Sequence, residues 1–265
     1  MRSRRSPSRT SSSATPDAGR RERAPDFGPL ARHYDRLRPA GWRWRALAEV
    51  LVAEGDLSSR RVLDVGCGTG RLLEYLMSAH GACVAGVDAS PEMLAVAARR
   101  LPHGVCLQHA SAESLPFGDG TFERVTMTLV VHLLDRPRAF AEALRVLGPD
   151  GRLVIATFDP AHFAGFWLNR FFPSVQAVDE ARFPSAEQLE TELRDAGFAG
   201  PRVRTLSQRE TIMRADALEK VRGRHISTFQ LLSDEEYAEG LALAERGMPD
   251  HVEVRYEHLV VSCPT

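Results

Sequence analysis

Leu63-Asp64-Val65-Gly66-Cys67-Gly68-Thr69-Gly70-Arg71 runs from a short apolar segment, through three glycines spaced by single residues, into the opening of a helical pattern. Glycine adopts backbone conformations closed to other residues and lets a main chain approach a ligand closely, so a strand–glycine loop–helix unit reads as a binding turn. A dinucleotide fold wants G-x-G-x-x-G at such a turn, with its third glycine at position 71. Arg71 stands there instead, and the third glycine is Gly70. A nicotinamide-dependent oxidoreductase is therefore disfavoured.

Outward from this turn, the chain alternates strand and helix. Trp42–Glu54 reads as an amphipathic helix and Arg61–Val65 as the first strand. The helix after the glycines runs from about Thr69 to His80. Cys83–Val87 is a second strand, and Pro91 opens a helix over Glu92–Arg100. Val105–His109 and Phe122–Leu129 are strands, Arg138–Leu147 a helix, residues 147–151 a turn, and Leu153–Phe158 a fifth strand. Short links between alternating elements predict an α/β fold: a doubly wound, Rossmann-like, seven-stranded, mostly parallel sheet flanked by helices. Past Phe158 come an aromatic cluster, a helix capped by Ser185, a strand near Arg202–Gln208, helices near 215–222 and 233–246, and a closing strand, Glu253–Ser262. The last two helices form an insertion before the final strand.

Composition bounds the function. The 265 residues carry a formal net charge of -1, and Lys220 is the only lysine. No uniform basic field invites nucleic acid, and no apolar run of membrane-spanning length occurs. Cys67, Cys83, Cys106 and Cys263 lie far apart, with neither zinc spacing nor the density of a disulfide framework, which favours a reducing, cytoplasmic setting. Residues 1–25 hold seven arginines against Asp17 and Glu22, with many serines and prolines. Such a stretch buries too little apolar surface to order itself, so a disordered tail is expected ahead of one domain over 26–265. Within that domain, 34–158 reads as the cofactor half and 159–250 as the substrate side.

A second signal sits in Val84-Ala85-Gly86-Val87-Asp88. An acidic residue at the end of the second strand suits a carboxylate accepting both hydroxyls of a ribose, because an ionised carboxylate accepts without donating. With VLDVGCGTGRL, VAGVDASPEMLAVA, AESLPFGDGTFERV and RVLGPDGRLVIATF in order, the chain resembles the class I S-adenosylmethionine-dependent methyltransferases, most of all the small-molecule branch containing ubiquinone/menaquinone C-methyltransferases. The resemblance implies S-adenosylmethionine as cofactor. It implies that Asp64 meets the methionine ammonium, and that Gly66, Cys67, Gly68 and Gly70 form the loop passing the cofactor. Asp88 would hold the ribose, and Ala89 and Met93 would line the adenine. Ser111, Ala112 and Glu113 occupy the place of an Asp-Ala-Glu type triplet, so Ser111 replaces the Asp that usually meets the adenine amino group. Thr128 and Leu129 would border the sulfonium, and Tyr34 resembles an N-terminal aromatic that closes over the cofactor.

Methyl transfer from a sulfonium is an in-line displacement, and it needs a general base only for a neutral hydroxyl or carbon acid. His132, just past the fourth strand, is the first candidate base and His162 the second; each equally suits a packing role. Phe158, Phe163, Phe166, Trp167, Phe171 and Phe172 read as core or as a wall for an apolar or aromatic acceptor. Arg214, Arg222, Arg224 and His225 mark the insertion as a candidate lid. The expected partner is a small-molecule methyl acceptor, with no nucleic acid and no metal. A non-catalytic binder on the same fold is the alternative.

Overall fold

The computed structural model describes residues 25–265. The expected tail over 1–25 thus lies outside the described residues, apart from Pro25. Seven strands form one sheet in the order β3-β2-β1-β4-β5-β7-β6. They are β1 (Arg61–Val65), β2 (Cys83–Asp88), β3 (Cys106–His109), β4 (Phe122–Thr128), β5 (Leu147–Phe158), β6 (Arg202–Met213) and β7 (His251–Pro264). β1 to β5 pair in parallel, and β7 runs antiparallel between β5 and β6.

Two short N-terminal helices, α1 (Tyr34–Leu37) and α2 (Trp42–Gly55), precede the sheet. The crossovers are α3 (Arg71–His80), α4 (Pro91–Arg100) and α5 (Arg136–Val146). α4 starts where the sequence predicts: Ser90 Oγ accepts the Met93 N–H at 3.2 Å, with Pro91 in the first turn. After β5 come α6 (Ala161–Ala164), α7 (Ser174–Arg182) and α8 (Ala186–Asp195). Ser185 and Gln188 close a reciprocal capping box at the start of α8. α9 (Arg214–Arg222) and α10 (Asp234–Gly247) form the insertion between β6 and β7.

Two expectations need correction. Residues 147–151, read as a turn, belong to β5: Leu147 pairs with Phe122, and the register then shifts before Arg124 meets Arg152. The glycines and Pro149 hid this irregular strand start. β6 also runs well past Gln208, because β7 pairs with it through to Met213↔His251. Its alternation of mostly exposed residues is that of an edge strand, which gives the sequence little hydrophobic signal.

Apolar side chains fill both faces of the sheet. Leu63, Val125, Met127, Ile155 and Phe140 pack on one face, and Leu51, Leu73, Leu76, Val62 and Val154 on the other. A third cluster joins Phe171, Phe172, Phe229, Val221 and Tyr237 to the ends of β6 and β7. This cluster fastens the insertion to the sheet. Its tightest point is Gly240, where an added Cβ would lie 2.3 Å from the Phe172 ring and 2.7 Å from the Phe171 carbonyl. Gly240→Ala therefore should destabilise the protein by about 1–3 kcal/mol, because overpacking outweighs the helix-propensity gain of about 1 kcal/mol. Thermal unfolding of the variant should show a lower Tm; an unchanged or higher value would mean the insertion is loosely packed.

Candidate functional site

The parallel sheet changes direction of winding between β1 and β4, and open α/β sheets leave a crevice at that point. The glycine loop fills its rim. Val87 O accepts the Gly66 and Cys67 N–H groups at 2.8 and 2.9 Å, tying the loop to β2. Gly66, Gly68 and Gly70 have φ of 74°, 54° and 74°, a region that a Cβ disfavours. At Gly66 a Cβ would also strike Val130 at 2.6 Å, whereas at Gly68 it would meet no atom within 4 Å. Gly68 thus faces open space, as a cradle for a ligand requires.

A cavity of about 270 Å³ begins at this loop and extends beneath the helices of the C-terminal half. Asp64, Gly66, Cys67, Gly68, Thr128, Leu129, His132 and Tyr34 all line it, as do Phe158, His162, Phe163, Phe166, Trp167 and Phe183. Asp88, Ala89, Met93, Ser111, Ala112 and Glu113 lie outside that lining, along the ends of β2 and β3. Asp88 accepts the Gly68 N–H through Oδ2 and the Ser90 N–H through Oδ1, each at 2.8 Å. Each oxygen keeps a further lone pair for a ligand. Burial nevertheless pushes its carboxyl above the usual range, more than these bonds pull it down. Ser111 Oγ donates to Glu113, whose other oxygen accepts the Asp135 N–H at 2.9 Å. Met93 is buried.

Asp64 is 2% exposed, and Thr126 Oγ1 donates to its Oδ1 at 2.6 Å. Burial pushes its carboxyl up to about 7, and the nearby Asp88 adds to the shift. A cation placed beside Asp64 would restore its ordinary acidity. Thr128 Oγ1 is buried with no hydrogen-bond partner among the described residues. An unpaired hydroxyl, a buried carboxyl and an open glycine cradle fit the ammonium and carboxylate of the amino-acid end of S-adenosylmethionine.

The structure brings in residues that the sequence did not single out. Asp35 of α1 reaches the glycine loop, accepting from Arg71 at 2.6 Å, Arg100 at 2.5 Å and Thr69 Oγ1 at 2.8 Å. Burial opposes the charge on Asp35, but the bonds from Arg100 and Thr69 and the field of Arg71 outweigh it and hold the carboxyl below its usual range. Arg71, the residue that broke the dinucleotide pattern, also donates to Arg38 O at 2.6 Å. On its other side the same segment meets the insertion: Lys220 Nζ donates to Leu37 O at 2.5 Å, and Arg38 donates to His225 O at 2.9 and 2.6 Å. The segment around α1 is a strap joining the glycine loop to the insertion. Only its charge pattern, Asp35 with Arg71 and Arg100, is written in the sequence, and nothing there pairs them.

The aromatic cluster divides between two roles. Phe171 and Phe172 pack in the core against the insertion, while Phe158, Phe163, Phe166, Trp167 and Phe183 wall the cavity. His132 stacks on Phe183 with ring centroids 4.0 Å apart and planes 13° apart. Burial, then the charges of Arg182 and Arg38, push its pKa well below that of a free imidazole. His132 Nδ1 has no partner among the described residues. His162 and His258 stack on Phe158 at 4.6 and 4.5 Å, and burial lowers them to about 4 and about 3. All three rings are neutral at physiological pH. His225 backs the strap and is likewise neutral through burial, whereas Arg214 and Arg222 bind the insertion's own helix α10, through Glu245 among others. Among the described residues no cluster has the make-up of a metal site, and no helix is long and apolar enough to cross a membrane.

Residues 63–155 match the family model described as a methyltransferase domain. The demethylmenaquinone methyltransferase of Thermus thermophilus is 33% identical over 202 residues, which cover 65% of this chain and 91% of that protein. The O-methyltransferase cnsE of Penicillium expansum is 35% identical over 160 residues, covering 58% of this chain and 57% of that protein. The chain thus spans little more than half the length of the fungal relative. A solved structure of a candidate methyltransferase from an antibiotic biosynthesis pathway of Anabaena variabilis superposes with a TM-score of 0.63 at 20% identity, covering 82% of this chain and 96% of that one, and speaks for the fold alone. Sequence match, sheet order and loop geometry agree: the chain belongs to the class I S-adenosylmethionine-dependent methyltransferases, enzymes whose methyl donor is S-adenosylmethionine.

Proposed function

We propose that this chain moves a methyl group from S-adenosylmethionine to a small apolar or aromatic molecule, at carbon or oxygen. One observation carries the reading: a single cavity runs from the glycine loop to a wall of aromatic rings. S-adenosylmethionine, when bound, supplies a methyl group on a sulfonium, which is electrophilic without further activation. The chain's task is then to hold the acceptor in line and keep water out, and positioning of this kind contributes up to about 7–11 kcal/mol. Asp64 and the backbone at Gly66, Cys67, Gly68 and Gly70 would hold the amino-acid end. Asp88 would take the ribose, with Ala89, Met93, Ser111, Ala112 and Glu113 around the adenine. Thr128 and Leu129 would flank the reacting centre, and Tyr34, on the strap, would cover it.

His132 is the side chain suited to take a proton from the acceptor. It is neutral, it borders the cavity, and its Nδ1 makes no hydrogen bond with the described residues. Its lowered pKa makes it a weak base, so it serves an acceptor already acidic, such as a phenol or an enolisable carbon. His162, which stacks on Phe158 and also lines the cavity, is the second candidate.

Calorimetric titration of S-adenosylmethionine and S-adenosylhomocysteine tests the cofactor assignment. Both should bind the wild type, and Asp88→Ala should weaken binding by tenfold or more; failure of the wild type to bind either would overturn the reading. The raised carboxyl of Asp64 sets a pH dependence with a definite sign. Below about pH 7 Asp64 holds a proton, and a cationic ligand favours its ionised form. Binding should therefore release a proton near pH 6 and tighten as pH rises from 5 to 7, then level off. Repeating the titration in buffers of different ionisation enthalpy measures the proton, and Asp64→Asn should abolish the pH dependence. Asp35→Ala, which leaves Arg71 and Arg100 without their shared carboxylate, should weaken cofactor binding and expose the strap to proteolysis between Phe27 and Arg38. Unchanged proteolysis would mean that the strap is held by its insertion contacts alone.

A further inference from the structure

One polar cluster beside the cavity has no part in the methyl-transfer steps. α7 turns Val175, Val178 and Asp179 inward, and Asp179 is only 2% exposed. A carboxylate on the apolar face of a helix is costly unless partners replace its water. Here the partners account for one oxygen. Thr228 Oγ1 donates to Asp179 Oδ1 at 2.7 Å, and Arg182 Nη1 lies 3.4 Å from the same atom. Arg182 is itself held by a bond to Ser227 Oγ at 3.0 Å. Oδ2 takes no hydrogen bond from the described residues, although Asp179 lines the cavity together with Ser227 and Thr228. The fold thus keeps a buried hydrogen-bond acceptor open to the ligand chamber.

The surroundings narrow what can meet it. Arg182 already supplies one positive charge, so an ammonium placed on Oδ2 would leave the pocket with an unbalanced cation. A wholly apolar ligand would seal Oδ2 away from water with nothing bound to it. A neutral hydroxyl satisfies both conditions. The walls are flat: Phe183, the residue that follows α7, stacks on His132, and His162 and His258 each stack on Phe158. Where such stacked rings border the cavity, their faces offer a planar guest a surface to stack on.

We propose that Asp179 selects the acceptor: its Oδ2 accepts a hydrogen bond from a hydroxyl carried on a flat aromatic ring, with Thr228 and Arg182 fixing the carboxylate. This deepens the methyl-transfer reading and rests on it for taking the chamber as the acceptor's. Asp179 is an acceptor-binding residue; its sequence position, on a helix after the fifth strand, gave no motif that would have found it.

The test uses two probes of one ring system, 2-naphthol and 2-methoxynaphthalene, which differ in the donor hydroxyl. Titrations followed by ligand-observed NMR should show the wild type binding 2-naphthol at least tenfold more tightly. Asp179→Leu should remove that preference while keeping the affinity for 2-methoxynaphthalene, and Asp179→Asn, closer in shape, should reduce the preference at least threefold. Equal affinity of the wild type for both probes overturns the assignment, as does a preference that survives in Asp179→Leu or one that is undiminished in Asp179→Asn. If Asp179→Leu does not fold, the wild-type pair and the Asn variant decide. S-adenosylhomocysteine is titrated into the same samples. A naphthol preference that depends on Asp179 in a protein that binds no S-adenosylhomocysteine would sink the methyl-transfer reading and leave the Asp179 site standing. Cofactor binding without the preference would do the reverse.

Discussion

The glycine loop after β1 is the constraint on which the site depends. The chain must leave the sheet, reverse and enter α3 within five residues, and three of those residues take positive φ. Two backbone N–H groups on one carbonyl, Val87 O, hold the reversal against β2. The loop can then offer main chain without side chain at Gly68, while Val130 closes against Gly66 from the β4 side. Because β1 and β4 are neighbours, the cavity that begins at the loop is lined by Thr128 and Leu129 and, beyond them, by His132. Sheet order and loop geometry together give the cavity its direction.

A second layer of order comes from charge. Asp35 gathers two guanidiniums and a hydroxyl, and it does so half-buried, where ion pairs are less screened than at a free surface. Arg71 and Arg100 come from two different helices, so the carboxylate cross-links α1, α3 and α4. The other side of the strap is held by backbone carbonyls of Leu37 and His225, bound by Lys220 and Arg38. The molecule's only lysine is used here, partly buried and facing a carbonyl, where a compact ammonium fits. Glycine loop and insertion are thereby coupled through a segment that touches both.

The chamber beyond the loop is apolar with a few unmet polar atoms. Neutral histidines behave there as flat aromatic rings with a nitrogen to spare, since burial suppresses their charge. An aromatic wall of this kind also suits a reaction in which a sulfonium loses its charge on the way to products.

The sequence by itself determined the doubly wound sheet, the order of its first five strands, the Pro91 and Ser185 helix starts, and the glycine loop with Asp64 ahead of it and Asp88 at the end of the second strand. All are local: strand and helix periods, caps and glycine spacing report through neighbouring residues. It left the start of β5 and the length of β6 misread, because an irregular ladder and an exposed edge strand carry weak patterns. It named His132, His162 and the aromatic cluster without separating wall from core. Only the tertiary structure decided that Phe171 and Phe172 pack inward while Phe158 and Phe183 face the cavity. The same holds for Asp35 joining Arg71 and Arg100, and for Asp179 turning a free oxygen inward. These outcomes depend on contacts between residues 30 to 200 positions apart in the chain, where spacing carries no information and packing alone chooses the partner.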